Sequence, residues 1–168
     1  MSQQRPVIDS LEFARQHKRL DGRIAMSALL RLADALFDAQ GELGYTVAGS
    51  LDQAGAAKEE ALRLSLDGTL NLICQRCLGP LPWAVRIRSR LVLVAPGSAW
   101  PDDELQDDRT DPIEAAAALD VLALLEDELL LALPIAPVHA GCQVATPRVQ
   151  PESRSPFATL AGIKRNAQ

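Results

Sequence analysis

The sequence predicts an α+β fold, in which an antiparallel meander sheet of three or more strands contains a long hairpin and is packed by helices near 27–38 and 120–131. Apolar residues alternate with polar ones from Leu62 to Cys74 and again from Leu81 to Leu93, as in strands with one buried face. The two flanking segments instead repeat apolar residues at helical spacing. Residues 41–52 are predicted as the strand that precedes the hairpin.

Two helices are predicted from their caps and apolar stripes. Ser27 can cap the first helix, which ends before Gly41, and Pro134 stops the second. Residues 111–114 (DPIE) have the form of a helix start, so local signals extend the second helix back to Pro112. The stripes comprise Leu29, Leu30, Leu32, Ala33, Leu36 and Phe37 in the first helix and Val121, Leu122, Leu125, Leu129 and Ala132 in the second.

One globular domain is predicted over residues 1–142, because 168 residues of which 48% are hydrophobic suffice for one sizeable core. Residues 9–20 are predicted as a basic, partly helical N-terminal arm. Residues 96–111 are rich in Pro, Gly and Asp and are predicted as a flexible acidic loop.

The C-terminal residues are predicted to lie outside this domain. Residues 143–154 form a polar linker, and residues 155–168 form a short docking helix that Ser155 caps and Pro156 begins. Phe157 and Leu160 share one side of this helix with Ile163 or Lys164. This spacing is typical of a peptide that binds an apolar groove.

Signals for export or membrane insertion are not found in the sequence. The start MSQQRPV has no apolar core, and the apolar stretch at 119–138 is interrupted by three acids and Pro134. We therefore expect a cytoplasmic protein with no membrane partner.

Charge is distributed unevenly along the chain. The formal net charge is -5, yet 11 of the 22 acidic residues lie between Asp102 and Glu128, where Arg109 is the only basic residue. The rest of the chain is net positive. This segregation permits a basic face on an acidic protein.

Three arginines form a basic stripe on the second limb of the hairpin. Arg86, Arg88 and Arg90 lie on the face opposite Trp83 and Ile87, at ~6.6 Å steps along a regular strand. The stripe can contact an anionic surface. Alternatively, it is a solvated face whose arginines pair with acids across the sheet.

Four residues could bind one metal ion. Cys74 and Cys77 form one C-x2-C pair, and His139 and Cys142 form a second pair, which is the arrangement of a closed tetrahedral zinc site. One structural zinc is the only cofactor that the sequence indicates. The alternative is a set of reduced thiols packed at a turn. A redox site is less favoured, because residues 78–82 (LGPLP) cannot begin the helix that activates a thioredoxin-like thiol.

Catalytic residues are not apparent in the sequence. It contains no phosphate-binding glycine loop, no evident base for a serine or cysteine nucleophile and no carboxylate pair in a recognisable setting. We expect a non-enzymatic protein with no small-molecule substrate.

Four segments together resemble the YceD family, which is named for accumulation of the large-subunit ribosomal RNA. They are ARQHKRLDG near the start, CQRC after a long strand, LLEDELLLALPIAPVH followed closely by a cysteine, and a terminal SPFATLAGIK. The resemblance implies a bacterial cytosolic factor, also found in plastids, that supports the synthesis, processing or stability of 23S rRNA and large-subunit assembly. The family is not known for a catalytic activity.

Two departures from the family pattern affect these expectations. The alanine run between Ile113 and Asp120 is more polar in other members and is expected there to form a strand and a turn, which conflicts with a helix start at Pro112. Some relatives also carry additional cysteines that would complete a zinc ribbon, whereas this chain has only Cys142 after the helix.

Two functional hypotheses follow. In the first, basic side chains contact the phosphates of rRNA or of a pre-ribosomal particle, and the candidates are Arg86, Arg88, Arg90, Arg15, Lys18 and Arg19. Aromatic residues make up only 4% of the chain, so few side chains are available to stack on RNA bases. In the second, the protein is an adaptor that holds a basic ribosomal protein or assembly factor through acidic residues, and the candidates are Asp102, Asp103, Glu104, Asp107, Asp108, Glu126, Asp127 and Glu128.

Overall fold

The computed structural model describes residues 5–54, 57–98, 100 and 111–142. Its strands are β1 (Val7–Ile8), β2 (Arg19–Ala25), β3 (Glu42–Ala54), β4 (Ala57–Ile73), β5 (Pro80–Val94), β6 (Asp111–Glu114) and β7 (Leu119–Asp120), and its helices are α1 (Ser10–Arg15) and α2 (Val121–Ala132). The predicted linker 143–154, the predicted docking helix 155–168 and most of the predicted acidic loop lie outside the described residues.

Five strands form the main sheet in the order β2-β3-β4-β5-β6. The first four are antiparallel neighbours, as the predicted meander requires, whereas β6 pairs in parallel with β5 over Leu91–Val94 only. The sheet is therefore mixed, and the antiparallel prediction holds for four of its five strands. The short strands β1 and β7 form a separate antiparallel pair.

The long hairpin buries one face, as its alternation predicts. Leu62, Leu64, Leu66, Leu70 and Leu72 of β4 and Val85, Ile87, Leu91 and Leu93 of β5 belong to the core. Helix α2 packs on this face and contributes Leu125 and Leu129, both fully buried. Helix α1 packs on the same face and contributes Phe13 and Ala14. The predicted N-terminal arm is thus partly helical and partly integrated into the core.

The predicted helix at 27–38 is wrong. The segment forms two 3-10 turns, Met26–Ala28 and Leu30–Leu32, and Ser27 makes no capping hydrogen bond. Its backbone bonds to the end of β4 instead: Phe37 N donates to Asn71 O, and Ile73 N donates to Ala35 O. Local turn bonds such as Leu32 N to Leu29 O remain, but they do not form a continuous helical series. Leu29, Leu32 and Leu36 still reach the core. The predicted stripe is therefore correct for the burial of these three leucines and wrong for Leu30, Ala33 and Phe37, which are exposed.

Helix α2 confirms the prediction for 120–131, but the helix start at Pro112 is wrong. Asp120 is the N-cap, and its side chain accepts hydrogen bonds from the amides of Leu122 and Ala123. Residues 111–114 instead form β6, because the edge of β5 offers a strand partner that the local sequence does not reveal. No helix in the described part of the chain is long and apolar enough to span a membrane.

Gly49 of β3 provides a test of how closely α1 packs on the sheet. A Cβ at this position would lie 2.3 Å from the carbonyl oxygen of Phe13, so α1 would have to move. We expect Gly49→Ala to lower the free energy of unfolding by about 2 kcal/mol in urea denaturation. Gly44→Ala is the matched control in the same strand, since its nearest contact is 3.7 Å away. A cost below about 0.5 kcal/mol for Gly49→Ala would show that α1 is not tightly held.

Candidate metal centre and sheet surface

The four predicted metal ligands converge at one end of the sheet. The ligand atoms of Cys74, Cys77, His139 and Cys142 all lie within 4.8 Å of one another. The Sγ atoms of Cys74 and Cys142 are 3.7 Å apart, and the Sγ of Cys77 is 3.6 Å from His139 Nδ1. The sequence therefore predicted the members of this cluster correctly, although they come from segments more than 60 residues apart.

A tight turn between β4 and β5 positions the first pair. Leu78 N donates to Cys74 O and Cys74 N donates to Gly79 O, both at 2.9 Å. Leu78 has a φ of 58°, a left-handed conformation that is uncommon for a leucine. The turn buries Cys74 completely and leaves Cys77 exposed.

The segment after α2 returns to this turn and brings the second pair. Gln75 N donates to Pro137 O at 2.8 Å, and Cys142 N donates to His139 O at 3.2 Å. His139 Nε2 lies 3.0 Å from Pro80 O. Because a carbonyl oxygen only accepts hydrogen bonds, Nε2 carries the proton and the lone pair lies on Nδ1, facing Cys77. Metal-binding histidines are oriented in the same way.

The pKa values of the buried Cys74 thiol and the half-buried Cys142 thiol are shifted in opposite directions. A hydrogen bond from the backbone amide of Cys77 is the largest cause that lowers the pKa of the Cys74 thiol to about 5. Burial, together with hydrogen bonds to Cys77 and Cys74, raises the pKa of the Cys142 thiol to about 11. Cys74 is thus the sulfur that carries negative charge most readily, and the thiolate is the form that binds metals.

The donor set fits a zinc ion. Ligands at ~2.3 Å from a tetrahedral zinc are separated by ~3.7 Å, which is close to the separations observed here. Three sulfurs and one imidazole nitrogen form one of the usual donor sets of closed structural zinc sites. The hydrogen bond from His139 to Pro80 would hold the ring in the binding orientation.

The opposite side of the sheet, away from the helices, carries three rows of side chains across four strands. From β2 to β5, the rows are Arg19, Ala48, Arg63 and Arg90; Asp21, Thr46, Ser65 and Arg88; and Arg23, Gly44, Asp67 and Arg86. We call this surface the arginine face. Six arginines and two aspartates occupy it, over a width of ~14 Å at ordinary strand spacing.

Carboxylates pair with most of these arginines. Arg88 binds Asp67 at 3.0 Å and Arg19 binds Asp21 at 2.8 Å, and all four side chains are more than half exposed. Arg90 differs, because it is 22% exposed and lies between Asp52 and Glu59. Among the described residues, Arg86 has no carboxylate partner.

Asp21 on the arginine face and Asp52 beside it have pKa values below the usual value of an aspartate. Hydrogen bonds from Arg19 and Thr46 lower the pKa of Asp21 to about 2. Burial alone would raise the pKa of Asp52, but hydrogen bonds from Arg90 and Arg63 outweigh it and lower the pKa. Both carboxylates are therefore ionised at neutral pH, and they partly neutralise the arginines.

The structure separates the predicted basic residues into two groups. Arg19, Arg86, Arg88 and Arg90 share the arginine face, whereas Arg15 is on α1, which packs against the opposite side, and pairs with Glu60. Lys18 pairs with Glu12 of α1. Sequence reasoning missed Arg63, which alternates with the leucines of β4. Strand periodicity could have placed it on this face, but the register was needed to put it beside Arg90.

The predicted acidic partner residues are only partly accessible. Glu126 and Glu128 are 6% and 9% exposed, so little of either side chain is open to a partner. Glu126 accepts the amide of Arg31, and Glu128 accepts the hydroxyl of Ser89. Asp127 is exposed and binds Arg31. The other five, Asp102, Asp103, Glu104, Asp107 and Asp108, lie outside the described residues.

Comparisons with known proteins give a consistent result. The family model described as "Large ribosomal RNA subunit accumulation protein YceD" matches residues 62–164, which is more than half of the chain. A protein of that name from Haemophilus influenzae is 25% identical over 170 residues, covering 94% of each chain. The comparison with solved structures found no match.

The buried carboxylate of Glu126 provides a second stability test. Its removal leaves the amide of Arg31 without its partner, and unsatisfied buried groups cost about 1–3 kcal/mol. We expect Glu126→Ala to lower the free energy of unfolding by about 2 kcal/mol. Asp127→Ala, the exposed neighbour, should change it by less than about 0.5 kcal/mol. Equal effects of the two substitutions in thermal or urea unfolding would contradict a structural role specific to Glu126.

Proposed function

Because the chain belongs to the YceD family, we propose that it is a non-enzymatic, cytoplasmic factor for the accumulation of 23S rRNA and the assembly of the large ribosomal subunit. We further propose that it contacts rRNA, or a pre-ribosomal particle, through the arginine face. The observation that carries this second proposal is the alignment of six arginines in three adjacent rows of the sheet.

The composition of the arginine face favours a polyanion as its ligand. Its six guanidiniums face five carboxylates, because Glu42, Asp52 and Glu59 on the same side pair with these arginines in addition to Asp21 and Asp67, so the surface keeps one excess positive charge on a protein whose total charge is -5. Successive rows are separated by ~6.6 Å, which is similar to the spacing of phosphates along an extended RNA strand. Guanidiniums bind phosphate oxygens through two parallel hydrogen bonds.

The existing ion pairs do not block this use. Exposed pairs such as Arg88–Asp67 contribute about 0–1 kcal/mol, so a phosphate can replace the aspartate at low cost. Arg86 is available without breaking any pair in the described part. The Arg90 side chain is less exposed, and it binds the same aspartate as Arg63. It is therefore better suited to positioning Asp52 and Arg63 than to binding a phosphate.

Recognition by this surface would be independent of base sequence. The three rows contain no aromatic side chain. Tyr45 and Trp83 alternate with the residues of the rows, so they lie on the side of the sheet that faces the core. The arginine face therefore offers no side chain on which a base could stack. Contacts to phosphates position a protein on RNA but do not distinguish one base sequence from another.

We also propose that Cys74, Cys77, His139 and Cys142 hold one structural zinc ion. When bound, the ion would crosslink the turn between β4 and β5 to the segment that follows α2. The chain itself prepares the site through the β4–β5 turn, the amide of Cys77 and the hydrogen bond from His139 to Pro80.

The RNA proposal predicts a salt-dependent affinity for 23S rRNA fragments. We expect the triple variant Arg63→Ala, Arg86→Ala, Arg88→Ala to lose at least tenfold in affinity, because three phosphate contacts disappear. The slope of log Kd against log salt should fall by about 2. Fluorescence anisotropy with labelled fragments at several salt concentrations measures both quantities.

The matched control removes the same charge from elsewhere on the domain. Arg5→Ala, Arg15→Ala, Lys18→Ala should change RNA affinity less than threefold, and an equal loss would contradict the assignment to the arginine face. Unchanged RNA binding in the first triple variant would contradict it as well. Loss of a ribosomal-protein partner after neutralisation of residues 102–108 would then favour the adaptor function.

The zinc proposal predicts one ion per chain after purification and dialysis. His139→Asn should reduce the bound zinc, measured by mass spectrometry, to less than about 0.2 per chain and increase protease cleavage within residues 133–142. His17→Asn is the matched control, because His17 is exposed and lies outside the cluster. Full zinc content in His139→Asn, or no zinc in the unmodified protein, would contradict the assignment.

A further inference from the structure

Exposed apolar side chains concentrate at the end of the molecule where the described chain stops. In the described residues, eight large apolar side chains are exposed, and five of them belong to this end: Phe37, Leu78, Leu131, Ile135 and Val138. We call these five the terminal apolar surface. Ile135 is fully exposed and Leu131 is 81% exposed, which is costly unless something covers them.

A small groove adjoins this surface and shares Ile135 with it. It has a volume of about 130 Å³ and is lined by three segments, mostly by apolar residues such as Ala35, Ile73 and Leu133, with Gln75 as the polar member. The backbone of Phe37 lies close to this groove, because Phe37 is two residues from Ala35 and its amide bonds to Asn71 O. Leu78 and Val138 belong to the two segments that meet at the cysteine cluster.

We propose that residues 155–168 of the same chain dock on the terminal apolar surface. These residues carry Phe157, Leu160 and Ile163, an apolar series with the spacing of one helix face. Such a face needs an apolar groove to bury it, and this end of the domain offers one. The family match also extends to residue 164, so the domain and this segment are matched together.

The connection between the two is short. Cys142, the last described residue, is part of the cysteine cluster that borders the terminal apolar surface. The 12 intervening residues, 143–154, can span up to ~40 Å and have a root-mean-square reach of ~19 Å as a flexible chain. A tether of this length gives an effective concentration in the millimolar range. A contact whose intrinsic Kd lies below this concentration is therefore closed most of the time.

Charge distinguishes this surface from a larger groove of the domain. Residues 155–168 contain Lys164 and Arg165 and no acid. The larger groove, about 390 Å³, has no acid in its lining, and Arg5 and Arg23 at its edge are paired with Asp120 and Glu42, so it offers these cations no free carboxylate. Asp34, next in sequence to Ala35 of the small groove, is exposed and has no partner among the described residues. Its carboxylate is available to these cations.

Hydrogen exchange of the full chain, loaded with zinc, tests the proposal. Amides of residues 157–165 should exchange about tenfold more slowly in the unmodified protein than in Leu131→Ser, Ile135→Ser, because docking protects them. Leu30→Ser, Val7→Ser is the matched control, since both residues are exposed but lie away from this surface, and it should retain the protection. Exchange at the unprotected rate in the unmodified chain would overturn the proposal.

A photo-crosslinker identifies the occupant. With p-benzoylphenylalanine in place of Phe157, we expect adducts within one chain to residues 33–39 or 131–139, at a yield independent of protein concentration. Adducts between two chains whose yield rises with concentration would overturn docking within one chain in favour of a second copy. Protection that appears only when ribosomal particles are added would overturn it in favour of a partner protein. Neither outcome bears on the RNA proposal, which rests on the arginine face.

Discussion

The register of the antiparallel strands β3, β4 and β5 is the constraint on which the rest of the structure depends. Side chains in a strand alternate between two faces, so a slip of one residue would exchange every leucine of β4 with its polar neighbour. In the observed register, Val47 lies beside Leu64 on the buried side, and Ala48 lies beside Arg63 on the other. The core and the arginine face are therefore two results of one alignment.

The same register also builds the cysteine turn. Because Ile73 pairs with Pro80, Cys74 falls at the point where β4 ends, and the six residues between the strands close a compact turn. His139 and Cys142 are positioned in a different way, by the end of α2. Leu133 leaves the helical conformation before Pro134, and the chain reaches Gln75 through Pro137. Core packing of α2 thus determines where His139 and Cys142 can lie.

Periodicity explains which parts of the fold were predictable. The β4–β5 hairpin, helix α2 and the four members of the cysteine cluster follow from local pattern and ligand type. Residues 27–38 and 111–114 do not, because each segment also exchanges backbone hydrogen bonds with a strand that its local sequence does not reveal. The arginine stripe was visible from alternation, whereas the partners of Arg88 and Arg90 depend on cross-strand neighbours that only the register supplies.

The short pairing of β6 with β5 has a consequence for solubility. In the described part of the chain, β5 has a second strand neighbour only over Leu91–Val94, so its backbone from Pro80 to Arg90 forms an open sheet edge. Open edges recruit strands of other molecules and start aggregation. Pro80 and Pro82 cannot donate a ladder hydrogen bond, and a second copy aligned with this edge would bring its own guanidiniums close to Arg86 and Arg88. Pairing of two such edges would therefore place like charges side by side, which is unfavourable.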